Sequence, residues 1–184
     1  EYVMAMKAIW KNWYEGAPMD FRGEFYTHTL MTPMFTPTDT DHGAPPVFVA
    51  ATGPLMAQGV AEVADGVLLH AFTTEEYVRT VTLPALEPGL AKSGRSRADF
   101  QIVGAPFMVT GDTEEAFQQV RLAALKQIAF YGSTPAYRGV LESIGYGELQ
   151  GELNALSKQG RWVEMGRIID DTLLEKIALV GEPD

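Results

Sequence analysis

The alternation of short apolar segments with helical segments constrains the fold of this chain more than any other feature. Three segments, Val47–Ala51, Val67–His70 and Phe100–Val109, have the nearly continuous hydrophobicity of strands that are buried on both faces. A segment with helical periodicity follows each of them. This order predicts an α/β fold whose parallel strands are joined by right-handed crossover helices. The sheet would be open and doubly wound, or part of a barrel.

Three strands are too few to complete either architecture. A (β/α)8 barrel typically takes about 250 residues, and this chain has 184. The chain also starts at Glu1 inside an amphipathic helical pattern over residues 1–15, with no capping residue before it. We therefore expect residues 1–184 to be a piece of a longer protein.

The remaining segments give further structural expectations. Residues 19–45 lack a sustained period. Within them, Phe21–Tyr26 could pair as a short strand, and Met31–Gly43 should form an ordered loop or lid. Pro84 should kink or divide the helix after the second strand, and Gly104 and Pro106 should make the third strand irregular. Helices are also expected near residues 135–144, 148–158, 161–169 and 171–179.

Composition excludes several functional classes. The formal charge of −10 argues against a general nucleic-acid binder, which needs a basic face. No apolar run approaches the roughly 20 residues of a membrane span, so we expect no membrane partner. The chain has no cysteine, which rules out disulfides and thiolate metal ligands within it. His42 with Asp39 and Asp41 is too loose a group to predict a metal site.

The strongest candidate site follows the first strand, because ligands of parallel α/β folds bind at the carboxyl ends of strands. There Ala51, Thr52, Gly53 and Pro54 lead directly into a helix. A glycine lets the backbone approach a ligand, Thr52 offers a hydroxyl, and the helix start supplies free N–H groups, so the loop could bind phosphate. It lacks the glycine spacing and lysine of a P-loop. A tight turn that needs glycine for steric reasons is the alternative.

His70 ends the second predicted strand, with Ala71 after it. It could donate a hydrogen bond to a phosphate or ring carbonyl, or act as an acid or base. A structural histidine is the alternative. The basic segment Lys92–Arg97 could grip a phosphate, although a solvated helix–strand connection is the simpler interpretation. The chain shows no Ser–His–Asp arrangement, and its catalytic residues stay unassigned.

Several segments together resemble the luciferase-like monooxygenase superfamily in order and spacing. They are Arg22–Tyr26, Pro45–Pro54 and Ala61–Val67. Three later segments, Ile128–Tyr137, Gly160–Met165 and Ile169–Asp171, resemble the branch described as coenzyme F420-dependent oxidoreductases. The resemblance extends over nearly the whole chain.

This resemblance implies a partial (β/α)8 TIM barrel. The three strands would be the fifth, sixth and seventh, and a helical insertion would follow the seventh. Residues 1–184 would then be a fragment of a single barrel domain. The first four strands would precede Glu1, and the eighth strand and last helix would follow Asp184.

The resemblance also implies a function, which is hydride transfer between coenzyme F420 and a small organic substrate. Ala51, Thr52, Gly53 and Pro54 would hold the cofactor phosphate, with His70 and Ala71 beside them. Residues near the reacting ring would lie mostly before Glu1, so this fragment alone would be inactive. The full protein would be a cytoplasmic homodimer.

Two alternatives remain open. One is a monooxygenase that uses the flavin FMN as its cofactor, and the other is a non-catalytic barrel relative that only binds a ligand. The aromatic residues Phe130, Tyr131, Tyr137 and Trp162 could line a lid over the site or simply pack helices together.

Overall fold

A computed structural model describes residues 1–181 as an alternation of helices and short strands. The helices are α1 (Tyr2–Glu15), α2 (Pro54–Val63), α3 (Glu75–Tyr77), α4 (Leu83–Lys92), α5 (Glu114–Gly132), α6 (Arg138–Ser143), α7 (Leu149–Lys158), α8 (Trp162–Ile168) and α9 (Asp171–Ile177). The strands are β1 (Phe21–Arg22), β2 (Thr27–His28), β3 (Phe48–Ala51), β4 (Gly66–Leu69), β5 (Gln101–Val103), β6 (Phe107–Val109) and β7 (Ala178–Val180).

The three predicted strands form a parallel sheet in the order β3-β4-β5, which confirms the α/β class. The helices α2 and α4 cover one face of this sheet and pack against each other. Ala61, Val67, Leu86 and their neighbours are fully buried between sheet and helices, and we call this group the sheet core. Burial of such side chains is the main force that holds these elements together.

The other face of the sheet is apolar and partly exposed. Phe48 lies against Gly66 on that face, where a Cβ on the glycine would come within 2.3 Å of the phenylalanine ring. Two residues further along, Ala50, Leu68 and Val103 are in register with one another, and Leu68 and Val103 are 39% and 42% exposed.

The third predicted strand is divided into two. β5 ends at Val103 and pairs with β4, whereas β6 begins at Phe107 and pairs with β7 in a separate two-stranded parallel sheet. The break falls on Gly104–Pro106, where glycine weakens a strand and proline cannot donate a ladder hydrogen bond. The irregularity predicted there is confirmed, but it is a complete interruption.

The strand β7 was not predicted. A helix was expected over residues 171–179, but α9 ends at Ile177, and Ala178–Val180 pairs in parallel with Phe107–Val109. The expected C-terminal limit of the helix is therefore wrong. Three residues are too few for strand alternation to be visible in a sequence.

Helices α5 to α9 form a second core with β6, β7 and Phe72. Ile128, Leu141, Leu153 and Leu173 are fully buried in this helical core. The predicted helices at 135–144, 148–158 and 161–169 are confirmed within a few residues, with a 3₁₀ turn at Pro135–Tyr137 before α6.

The helix after β4 changes its winding before Pro84. α3 runs into a π-helical turn at Val78–Thr82, and α4 then starts at Leu83 with Pro84 in its first turn. Thr82 and Leu83 keep helical backbone angles, so the helix continues through this point and Pro84 follows the π-helical turn instead of starting a separate helix. Proline removes a helical N–H and crowds the preceding turn, and a π-helical turn is one way in which a helix accommodates this. The predicted disturbance at Pro84 is therefore a change of winding and not a division.

A short hairpin is tied to the start of α1. β1 pairs antiparallel with β2, and the Glu1 carboxylate accepts hydrogen bonds from the turn N–H groups of Glu24, Phe25 and Tyr26 at 3.0, 2.8 and 2.7 Å. The predicted short strand at Phe21–Tyr26 is therefore a hairpin strand and its turn. No helix among residues 1–181 is long and apolar enough to cross a membrane.

Candidate functional site

The parallel register of β3 and β4 brings the two candidate segments to the same edge of the sheet. Ala51 is paired with Leu69, so Thr52 and His70 are the first residues beyond the paired strands. Both line one small cleft, together with Ala51, Leu69, Phe72, Thr73, Tyr77, Thr82, Tyr137 and Val140. The structure therefore brings Thr52 and His70 together, as the sequence suggested.

The loop after β3 presents free polar groups. Ala51 is buried, whereas Thr52 and Pro54 are exposed and Gly53 is half-buried with an extended backbone, φ −127° and ψ 163°. Gly53 is the N-cap of α2, and nothing lies within 4 Å of where its Cβ would be. The turn itself therefore does not require glycine, and its open side leaves room for a ligand to approach the backbone.

The start of α2 supplies hydrogen-bond donors. Ala57 N–H closes the first helical bond to the Gly53 carbonyl at 2.9 Å. The N–H groups of Leu55 and Met56 precede it and have no acceptor within the helix. They carry the positive end of the helix dipole, which favours an anion.

His70 is held as a neutral ring with a defined tautomer. Its Nδ1 accepts a hydrogen bond from the Phe72 backbone N–H at 3.0 Å. Because a backbone N–H can only donate, the proton of the neutral imidazole must be on Nε2. Burial lowers the pKa of His70 below its usual value. In this state the ring can donate a hydrogen bond only through Nε2.

Tyr77 connects the loop after β3 with the start of α3. Its hydroxyl donates to the Thr52 carbonyl at 3.3 Å, and its backbone N–H donates to the Thr74 hydroxyl at 3.1 Å, which caps α3. Burial raises the pKa of the Tyr77 hydroxyl, so it stays protonated and can donate. Sequence patterns did not identify Tyr77, because it lies in a helix and reaches the site only through the fold.

Two of the four candidate lid residues lie at the site. Tyr137 stacks on the His70 ring with centroids 4.8 Å apart and an interplanar angle of 28°, and Tyr131 meets it edge-on at 4.7 Å. Phe130 and Trp162 are about half exposed, and their ring centroids are 6.3 Å apart. Phe130 also meets Tyr131 edge-on at 5.4 Å, so the four rings are in continuous contact, but only Tyr137 lines the cleft.

The cleft lining has no charged side chain. An anion bound there would be held by neutral donors and by the helix dipole. No carboxylate lines the cleft, although the chain as a whole is acidic, so an anion there would meet no negative side chain in direct contact.

The basic segment Lys92–Arg97 has structural partners instead. Arg95 donates to the carbonyls of Ala61 and Ala64 at 2.6 Å each, at the end of α2, and its guanidinium lies 5.8 Å from the ring centroid of Phe100. Lys92 pairs with Glu62 at 2.7 Å. These contacts support the interpretation as a helix–strand connection.

Among residues 1–181, no group of three or more His, Cys, Asp and Glu side chains could hold a metal ion. The cleft also contains no pair of carboxylates and no activated nucleophile. The groups near this site that could act on a ligand are the hydrogen-bond donors at the start of α2 and a neutral imidazole.

Comparison with known proteins gives a family and a fold. A sequence model of the family described as luciferase-like monooxygenase matches residues 1–184. An uncharacterized protein of Mycobacterium tuberculosis is 48% identical over 184 residues, which are 100% of this chain and 54% of that protein. A 5,10-methylenetetrahydromethanopterin reductase of Archaeoglobus fulgidus is 30% identical over 176 residues, 92% of this chain and 49% of that one.

Among solved structures, the coenzyme F420-dependent tetrahydromethanopterin reductase of Methanopyrus kandleri superposes with a TM-score of 0.71 at 20% identity. The match covers 98% of this chain and 50% of that one. The chain thus spans about half the length of the proteins that it matches.

Proposed function

The chain belongs to the luciferase-like monooxygenase family, and we propose that it is part of an oxidoreductase that transfers a hydride between coenzyme F420 and a small organic substrate. The observation that carries the proposal is the pairing of an open helix start after Thr52 with His70 at one edge of a parallel sheet. The reductases named above are similar in sequence or fold.

The residues present fit the phosphate group of such a cofactor. The space beside Gly53 is open, the N–H groups of Leu55 and Met56 are free of helical partners, and the Thr52 hydroxyl has no hydrogen-bond partner within residues 1–181. We assign phosphate binding to Ala51, Thr52, Gly53 and Pro54, with His70 and Ala71 beside them. Backbone N–H groups at a helix start are a common phosphate-binding arrangement.

The cofactor, when bound, supplies the hydride-carrying ring. The residues of this chain would bind and orient it. Tyr77 fixes the Thr52 carbonyl and so the direction of the loop, while the Phe72 N–H fixes which nitrogen of His70 carries the proton. Such fixed donors need no rearrangement when an anion arrives.

We interpret the strands as part of one barrel in the full protein. β3, β4 and the divided strand β5 and β6 would be the fifth, sixth and seventh strands. β7 pairs in parallel with β6, so we interpret it as the start of the eighth strand, in place of the expectation that this strand follows Asp184. Helices α5 to α9 would be the insertion between the seventh and eighth strands.

The proposal is tested by titrating the intact protein with F420 and with FMN while following fluorescence. We expect saturable F420 binding that Thr52→Val weakens by about tenfold, since one hydrogen bond to a charged group is lost. Thr36→Val is the matched control, because Thr36 donates to the Thr32 carbonyl in the loop of residues 19–45 and does not line the cleft. Tight FMN binding with no F420 binding would reject the F420 assignment.

A flavin monooxygenase is the second candidate, because the same phosphate site would suit FMN and the family includes such enzymes by its description. Oxygen consumption with reduced FMN separates the two. Rapid uptake that depends on an added substrate would favour the monooxygenase.

A further inference from the structure

The segment Pro135–Ser143 contains the 3₁₀ turn and α6. It contacts His70, and it contacts Tyr77, which is bonded to the Thr52 loop. We call it the buttress segment. It lies more than 60 residues away in sequence from the site loops, and it belongs to the helical core rather than to the sheet. It contacts the residues that orient His70 and the Thr52 loop.

The first contact is with His70. Tyr137 stacks on one face of the imidazole and also packs edge-on against Phe72, with ring centroids 5.7 Å apart. Phe72 is the residue whose N–H bonds to His70 Nδ1. Tyr137 therefore contacts both partners of the hydrogen bond that sets the histidine tautomer.

The second contact is with Tyr77. Gly139 of α6 lies against the Tyr77 ring, where a Cβ would be 3.5 Å from Cε2. The Ser143 hydroxyl is 3.5 Å from the Thr74 hydroxyl, which caps the helix that carries Tyr77. Tyr77 in turn donates to the Thr52 carbonyl.

We propose that the buttress segment positions both sides of the phosphate site, with Tyr137 holding His70 as an Nε2–H donor and α6 holding Tyr77 in its hydrogen bond to the carbonyl of the Thr52 loop. Tyr137 and Tyr77 are positioning residues. The proposal rests on the proposed function in that the anion is taken to be a cofactor phosphate.

An aromatic stack is well suited to this role. It restricts the tilt of the imidazole without competing for either ring nitrogen. The Tyr137 hydroxyl has no hydrogen-bond partner within residues 1–181, so the ring rather than the hydroxyl makes the contact. Phenylalanine should therefore replace Tyr137 without loss, whereas leucine should not.

The test measures F420 affinity and the His70 tautomer in the intact protein. The tautomer is recorded by ¹⁵N NMR of the imidazole without cofactor. We expect a single Nε2–H form in the wild type and in Tyr137→Phe, and a tautomer mixture in Tyr137→Leu. F420 affinity should fall about two- to tenfold in Tyr137→Leu, from the loss of one aromatic pair.

Tyr146→Leu is the matched control. Tyr146 packs against the same helical core but does not line the cleft, so it should lose comparable thermal stability and keep both the tautomer and the affinity. Equal loss of affinity in Tyr146→Leu would show that general destabilisation explains the effect and would overturn the proposal.

Tyr77→Phe tests the hydrogen bond from Tyr77 to Thr52, which the second contact is proposed to maintain, without removing a ring. It deletes only the hydroxyl that reaches Thr52, so folding should be retained while F420 affinity falls about two- to tenfold. Unchanged affinity in Tyr77→Phe would contradict the proposed role of Tyr77. An unchanged tautomer in a folded Tyr137→Leu protein would contradict the proposed role of Tyr137. Failure of the wild type to bind F420 rejects the cofactor assignment, and the tautomer measurement still decides the role of Tyr137.

Discussion

At the scale of single residues, the state of His70 depends on burial and on one backbone hydrogen bond. The sequence identified His70 because it ends an apolar strand, but it could not show the Phe72 N–H on Nδ1 or the tyrosines around the ring. Tyr131 and Tyr137 lie more than 60 residues after His70 in the chain. Such contacts arise from tertiary packing and leave no local periodicity.

The lowered pKa of His70 makes part of the stability depend on pH. Above the usual histidine pKa, near 6.5, the ring is neutral in both folded and unfolded chains. As the pH falls below that value, the unfolded chain takes up a proton that the folded site resists, so stability is lost. We expect a smaller drop in melting temperature between pH 7.5 and 5.5 in His70→Asn than in the wild type. Parallel curves for both proteins would show that His70 is not the group responsible.

At the scale of elements, the close crossing of α2 and α4 depends on Gly89. A Cβ at Gly89 would come within 2.1 Å of the Gln58 carbonyl oxygen, and this atom belongs to the backbone of α2. The two helices make the most extensive helix–helix contact of the described residues. Nothing in the sequence distinguishes this glycine from others, because its neighbour across the crossing is more than 30 residues away.

We expect Gly89→Ala to destabilise the protein by about 2 to 3 kcal/mol, although alanine is the better helix former. Gly151→Ala in α7 is the control, because nothing lies within 4 Å of its Cβ position. It should stabilise the protein by about 0.5 to 1 kcal/mol. Urea denaturation of both variants measures the difference, and equal effects would mean that α2 and α4 can separate without cost.

At the scale of the whole molecule, the pattern of strands and helices was predictable, but the division of the sheet was not. Strand–helix alternation and the buried runs predicted parallel strands joined by helices, as found in β3, β4 and β5. The separate pairing of β6 with β7 depends on a three-residue strand that follows α9 directly. The pattern left a barrel and a phosphate loop each as one of two alternatives, and the family resemblance favoured both.

The uncovered sheet faces lead to a prediction for residues 1–184 produced alone. Leu68, Val103, Met108 and Leu179 are all between 39% and 64% exposed, and the last two are register partners. Exposed apolar strand faces of this kind promote association. We expect analytical sedimentation to show oligomers whose fraction rises with protein concentration. The double variant Leu68→Lys/Met108→Lys should form fewer of these oligomers. A monomer that melts cooperatively would contradict this.

The four residues from Leu69 to Phe72 connect two bodies of buried side chains. Leu69 packs with the sheet core and Phe72 is part of the helical core, so the candidate site lies where the two meet. A ligand bound there would be thermodynamically linked to the unfolding of both. Occupancy would then strengthen the coupling between the sheet core and the helical core during unfolding, so the site would contribute to stability as well as to chemistry.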